Sequence, residues 1–276
     1  MARRGADGSG EARKGNDLLR KHFNALAQRA AKLVKDEYPR VIGVIVDGSV
    51  GRGEPLPHSD IDILAIVEGG RTPRWYSYMD GGLQVGIGFL TARQYARPEQ
   101  DPQRFFWARG GARSARVLYD RKGVMKDIVR KRRTAKTTPG IVERIAWQSC
   151  RYIMEYLGKL RNGRVLRDEY LIRYAAMAVA DSVQEVLIAL NDLSPVSENT
   201  VWYLVADAQR KPRHFSVDFP IARGIKGGAA THSVIFSTER LGRETLDLLT
   251  EEFSTTAKNR RFRAFLKELS GNEPPR

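Results

Sequence analysis

Residues 48–64 read GSVGRGEPLPHSDIDIL, and they hold the side chains of this sequence best suited to chemistry on a phosphate. Asp60 and Asp62 stand one position apart in a β-branched run, so on a strand they project to the same side. Two carboxylates placed this way can bind one or two divalent ions, and magnesium favours a few carboxylates completed by phosphate oxygens. Gly48 and Ser49 follow an apolar run directly. A turn of this kind offers backbone N–H groups and a hydroxyl to an anion. Arg52 adds a permanent cation able to grip phosphate in bidentate fashion. A Gly-Ser turn alone is common on surfaces. Followed at this spacing by Ser-Asp-x-Asp, it points to a phosphate and metal site.

A second set lies far along the chain. Gln148, Arg151, Glu155, Lys159 and Asn162 recur every three or four residues and form one polar stripe on a helix. The plain reading of Glu155 and Lys159 is a surface ion pair, worth only a few tenths of a kcal/mol.

The elements that must hold these residues follow from periodicity. Apolar residues at Leu18, Leu19, Phe23, Leu26, Ala30 and Leu33 predict a helix capped by Asn16 or Asp17. Residues 1–15 are expected to be a mobile tail. VIGVIV (41–46) is a buried strand, DIDILAIV (60–67) a second and LQVGIGFL (83–90) a third. In the second, Asp60, Asp62, Leu64 and Ile66 share a face. In the third, Gln84, Gly86 and Gly88 lie opposite Leu83, Val85, Ile87 and Phe89. A loop spans GGRTPR, a helix follows near TARQYA, and ARVLYDRKG is a short strand ending in a turn. Beyond Pro139-Gly140 the pattern turns helical: one amphipathic helix over 141–162, a more buried one over 168–191, a third near 197–209, and one or two more toward the C-terminus. The expected fold class is α+β, with an N-terminal mixed sheet and helices over 16–135 and an all-helical domain over 140–270.

The 276 residues carry a net charge of +15, which favours anionic substrates or partners. Between Arg104 and Lys136 there are twelve Lys or Arg and two Asp. This stretch is either a solvated linker or a contact for phosphate or nucleic acid. No interleaved aromatic motif accompanies it, so sequence-specific RNA reading is not expected. The single cysteine, Cys150, excludes a disulfide framework and reads as a core residue, and the default location is the cytoplasm. No apolar run approaches the ~20 residues that span a bilayer.

GSVGRGEPLPHSDIDIL resembles the signature of the polymerase-beta-type nucleotidyltransferase superfamily. EYLGKLRNGRV (155–165) resembles the helical domain of the kanamycin nucleotidyltransferase family, and FFW…VLYDRKG that family's link between core and helices. The resemblance implies transfer of a nucleoside monophosphate from ATP or another NTP to a hydroxyl of an acceptor, with release of pyrophosphate. It implies that Gly48, Ser49, Arg52 and Lys159 bind the nucleotide, that Asp60 and Asp62 hold Mg2+ or Mn2+, and that Glu155 is the general base. It also implies a homodimer in which base and metal site come from different subunits.

One feature departs from that pattern. The superfamily places a third carboxylate on a neighbouring strand, and the matching position here is Gly86. The protein then either works with one metal and Glu155, or recruits Asp47, Glu54 or Asp80, or binds nucleotide without transferring it. A nucleotide-adding protein associated with RNA is the remaining alternative. The acceptor stays open, because a strongly basic chain does not suit a polycationic aminoglycoside.

Overall fold

The computed structural model describes residues 8–71 and 75–271. The chain divides after Ala135 into two compact units.

The first unit begins with helix α1 (Gly8–Glu37). It starts well before the expected cap at Asn16 or Asp17, because Glu11, Ala12, Arg13 and Lys14 are good helix formers. Of the expected tail, residues 1–7 lie outside the described residues and the rest belongs to this helix. Strand β1 (Val41–Val46) leads into the one-turn helix α2 (Gly48–Arg52), then β2 (Ile61–Val67), β3 (Tyr76–Asp80) and β4 (Leu83–Thr91). Helix α3 (Ala92–Ala96) and two 3-10 turns at Pro98–Gln100 and Pro102–Arg104 come next. Helix α4 (Phe105–Ser114), strand β5 (Arg116–Asp120) and helix α5 (Met125–Arg133) complete the unit.

The five strands form one mixed sheet in the order β3-β4-β2-β1-β5. β2 and β4 run parallel, with Asp62 beside Gly86 and Leu64 beside Gly88. The other neighbours are antiparallel. Helix α1 covers one face, where Phe23, Leu26, Ala30 and Val34 pack on Val44, Ile61, Ile63, Val85 and Ile87. On the opposite face Tyr95 of α3 and Met125 of α5 pack on Ile45 and Ile66. Asp62 lies on this second face and is exposed. The sheet therefore alternates as its sequence does: apolar residues of β2 and β4 sit under α1, and Asp62, Gly86 and Gly88 face the other way.

Besides the two 3-10 turns, three elements of this unit are absent from the sequence reading. β3 forms a hairpin with β4 through Gly81 and Gly82, both at positive φ (60° and 80°). Such Gly-Gly turns match the twist of paired strands. α4 carries Gly110 and Gly111, poor helix formers, but is anchored by the buried rings of Phe105 and Phe106. α5 lies within the basic stretch, where Met125, Ile128, Val129 and Arg132 fall at helical spacing and turn inward.

The second unit is helical: α6 (Pro139–Leu166), α7 (Glu169–Leu190), α8 (Val201–Ala206), α9 (Phe215–Ala222), α10 (Thr231–Phe253) and α11 (Arg260–Gly271). α7 is buried along most of its length and packs against α6, α9 and α10. Trp147 of α6 meets Phe262 and Phe265 of α11 at ring separations of 5.1 and 5.3 Å. Cys150 is buried, and burial pushes its thiol up to about 12, as suits a core residue. No helix among the described residues is long and apolar enough to cross a membrane.

Asp218 of α9 is fully buried and accepts two hydrogen bonds from Arg240 of α10, at 2.6 and 2.8 Å. Removing the cation leaves a carboxylate in the core with no counter-charge. Arg240→Ala is expected to lower the stability of this unit by about 3–5 kcal/mol, read as the denaturant midpoint of Trp147 and Trp202 fluorescence. A loss below ~1 kcal/mol would show that Asp218 is not held by this pair.

Candidate functional site

The C-terminal end of β1 and the N-terminal end of β2 build the acidic centre. The Asp47 amide donates to the Asp62 carbonyl at 3.0 Å, so the two residues meet where the strands begin to separate. Asp47 caps α2: its side chain accepts from the Gly48 amide at 2.8 Å, and its backbone is extended. The Ser114 hydroxyl at the end of α4 donates to the same carboxylate at 2.5 Å. Asp47 is thus fixed from two sides.

Asp62 points across to α2. Gly48 adopts φ +63°, and a Cβ there would lie 2.9 Å from Asp62 Oδ2. Glycine at 48 is therefore required twice, by the left-handed backbone and by the close approach of a carboxylate. Gly48→Ala should weaken binding of a magnesium–nucleotide complex by about tenfold or more, because the methyl group displaces Asp62 and strains the turn. Calorimetric titration checks this, and unchanged affinity would separate Gly48 from the site.

Asp60 precedes β2 and is exposed. Its charge reaches Asp62. The Asp62 carboxyl, although open to the cleft, is pushed up to about 6, first because neighbouring protein atoms displace part of its solvent, then by the negative charges of Asp60 and Asp47. A centre of this kind is short of positive charge, and a bound cation relieves it.

Asp47 and Asp62 line a cleft of about 610 Å³. Trp75, Gly86, Gly88 and Leu90 form one side of the lining, and Arg104 also contributes. Ser49 is half-buried in α2. Arg52 ends that helix, half-buried, with Glu54 3.6 Å away. Of the carboxylates considered as a third ligand, Glu54 accompanies Arg52, and Asp80 is held by Arg29 in two hydrogen bonds of 3.1 and 2.9 Å. Only Asp47 of the three is brought to Asp62. The position beside Asp62 on β4 is indeed Gly86.

The donor set fits magnesium carried by a polyphosphate, which keeps one or two protein carboxylates and takes its other oxygens from phosphate and water. It is not a complete protein cage: among the described residues, no group of three or more His, Cys, Asp or Glu is placed to hold a metal ion.

Glu155 and Lys159 belong to the helical unit, on the outward face of α6, and form an ion pair of 2.8 Å. The Glu155 carboxylate holds the Lys159 ammonium above the usual lysine range. Lys159 also lies 4.3 Å from the ring of Tyr156. Tyr156 meets Tyr174 of α7, which stacks on Tyr170.

The basic stretch is partly committed to structure. Arg132 donates to the carbonyls of Ala108 and Tyr95, both at 2.9 Å, and lies over the Tyr95 ring. Arg130 pairs with Asp127 at 3.1 Å.

Sequence reasoning passed over Trp75, Arg104 and Ser114. Alternating glycines at 86 and 88 were a signal that something approaches that strand closely. Nothing in the sequence says that the approaching group is Trp75.

Residues 27–105 match the family model of the nucleotidyltransferase domain. A solved structure that this chain resembles is a nucleotidyltransferase-like protein from Exiguobacterium sibiricum 255-15, with 13% identity and a TM-score of 0.49, over 82% of this chain and 77% of that one. Comparison with curated proteins finds no match.

Proposed function

We propose that this nucleotidyltransferase domain moves a nucleoside monophosphate from an NTP, with ATP as the first choice, to a hydroxyl of an acceptor, releasing pyrophosphate. The observation that carries the reading is the Asp47–Asp62 centre beside the Gly48-Ser49 turn. There a carboxyl raised to about 6 by partial loss of solvent and by two like charges stands ready for a cation. Asp60 and Asp62 would hold magnesium, with Asp47 as the neighbouring charge. Magnesium, when bound, neutralises phosphate charge and draws electrons from the phosphorus under attack.

The chain's own residues then have separate tasks. Ser49 and Arg52 orient the leaving phosphates and balance their charge. The acceptor oxygen forms a bond to the α-phosphorus as the bond from that phosphorus to the pyrophosphate oxygen breaks. Glu155 takes the acceptor proton. In the free protein Lys159 occupies Glu155. Transfer of Lys159 to a phosphate oxygen leaves that carboxylate free to accept the proton, so nucleotide binding arms the base. The resemblance implies that Glu155 serves the metal site of a second copy.

A second reading is favoured by a specific observation. Gly86 stands beside Asp62 where a third carboxylate would complete the site. On this reading the domain binds nucleotide and does not turn it over. Both readings require nucleotide binding at Asp62. Calorimetric titration with magnesium and a non-hydrolysable ATP analogue should show saturable binding that weakens about tenfold or more when Asp60 and Asp62 are both changed to Asn. Equal affinity in the double variant would remove both readings.

A further inference from the structure

Trp75 stands just before β3, and its side chain is 62% exposed. Its position is unusual. A Cβ on Gly86 would lie 3.4 Å from Trp75 Cζ2, and a Cβ on Gly88 would lie 3.6 Å from Trp75 Cδ1. The indole therefore rests on the bare backbone of β4, over two alternate residues of the face that carries Asp62 and Leu64. A methyl group at either position would only touch the indole, whereas a long side chain such as leucine at 86 would have to displace it; at 88 the tighter neighbour is Leu64 Cδ1, 3.3 Å away. Its free side is part of the lining of the cleft that Asp47 and Asp62 also line.

The sheet order gives this arrangement a direction. β2 lies between β1 and β4. Asp62 thus has the Gly48-Ser49 turn on one flank and Gly86 with Trp75 on the other. A polyphosphate placed at the turn leaves the Trp75 flank for the part of the ligands that carries no phosphate. An exposed indole face is suited to a flat ring, since stacking on it needs no particular hydrogen-bond pattern.

We infer that Trp75 is the stacking face for a flat ring of a ligand bound in this cleft, and that the absence of side chains at residues 86 and 88 lets the indole lie against β4. The inference rests on the reading of the Asp62 cleft as a nucleotide site. The ring has two sources, the nucleobase of the NTP or a ring in the acceptor, and they are separable by experiment.

Trp75→Ala, Trp75→Phe and Gly86→Leu are titrated with four probes in the presence of magnesium: ATP, inorganic tripolyphosphate, tyrosinamide and serinamide. The last two are tested with the non-hydrolysable ATP analogue bound. If the nucleobase stacks, Trp75→Ala and Gly86→Leu weaken ATP binding by roughly tenfold while tripolyphosphate is unchanged. If the acceptor ring stacks, the same variants weaken tyrosinamide and leave ATP and serinamide alone. Trp75→Phe retains most of the affinity in either case. An indole that only covers the strand would lower thermal stability and change ring-bearing and ring-free probes alike. That outcome, or no ring-specific loss with any probe, overturns the inference. Failure of tripolyphosphate to bind the unaltered protein would count instead against the nucleotide site itself.

Discussion

Asp62→Asn is expected to lower turnover by roughly 10²–10³-fold, the scale of losing one preorganised electrostatic contact to a transition state. The amide keeps the shape and the hydrogen-bonding oxygen but removes the charge that, on the proposed reading, would hold magnesium against the phosphates. The same change should raise the stability of the metal-free protein at neutral pH. Asp62 has a folded-state pKa of about 6 against an ordinary value of 3.8. Between those values the folded state binds more protons than the unfolded state, so the contribution of Asp62 to stability falls as pH rises through that window. Below pH 3.8 it costs nothing, and above about 6 the full penalty applies. Asn is free of it. Thermal melts in a chelator across pH 4–8 should show the two proteins converging at the acid end and the variant more stable at the neutral end. Magnesium with nucleotide should raise the melting point of the unaltered protein and leave the variant nearly unmoved. A variant that turns over within about threefold of the original, or that is less stable at neutral pH, would remove Asp62 from the centre of the site.

Glu155→Gln should cost about 10²–10⁴-fold in turnover, the usual yield of a positioned general base, with little change in nucleotide affinity. The contrast with the plain alternative is large. An exposed ion pair such as Glu155–Lys159 adds little to stability, and its loss alone would leave turnover intact. Lys159→Ala should behave differently again, raising the KM for nucleotide more than it lowers kcat, because the phosphate contact proposed for it would form before the chemical step. Mixing inactive Asp62→Asn with inactive Glu155→Gln tests where the base acts. In the homodimer that the resemblance implies, a mixed dimer would hold one intact site and one doubly defective one, so activity should return on mixing and exchange. If the mixture stays inactive, base and carboxylates belong to one copy.

Much of this architecture is legible in the sequence because it rests on short-range patterns. β1, β2 and β4 follow from β-branched runs, and the faces of β2 and β4 from strict alternation. The break near Pro139-Gly140 marks the start of α6. What escapes the sequence depends on tertiary support. α4 contains two adjacent glycines, and only the burial of Phe105 and Phe106 makes it a helix. α5 hides in a basic run because Arg132 behaves as an inward residue, its charge satisfied by the carbonyls of Ala108 and Tyr95. The edge strand β3 is short and shows no buried side chain, so its pattern is faint, although the Gly81-Gly82 turn was a usable sign.

The site divides the same way. Asp62 is readable from spacing and Gly86 from the resemblance to the superfamily's pattern, and the register of β2 and β4 sets them side by side. Asp47 could be listed by sequence only as one of three nearby carboxylates. The fold selects it, because the end of β1 pairs with the Asp62 carbonyl and Ser114 anchors its side chain. Trp75 could not be anticipated, since the hairpin of β3 and β4 alone brings it over the two glycines.

The most direct test of nucleotidyl transfer compares ATP labelled at the α-phosphate with ATP labelled at the γ-phosphate, with magnesium and a panel of aminoglycoside, RNA, protein and small hydroxyl acceptors. The account predicts acceptor-bound label from the α-position only, with one pyrophosphate released per transfer, and neither with Asp62→Asn. Label arriving from the γ-position, or nucleotide bound tightly with no pyrophosphate released for any acceptor, would contradict it.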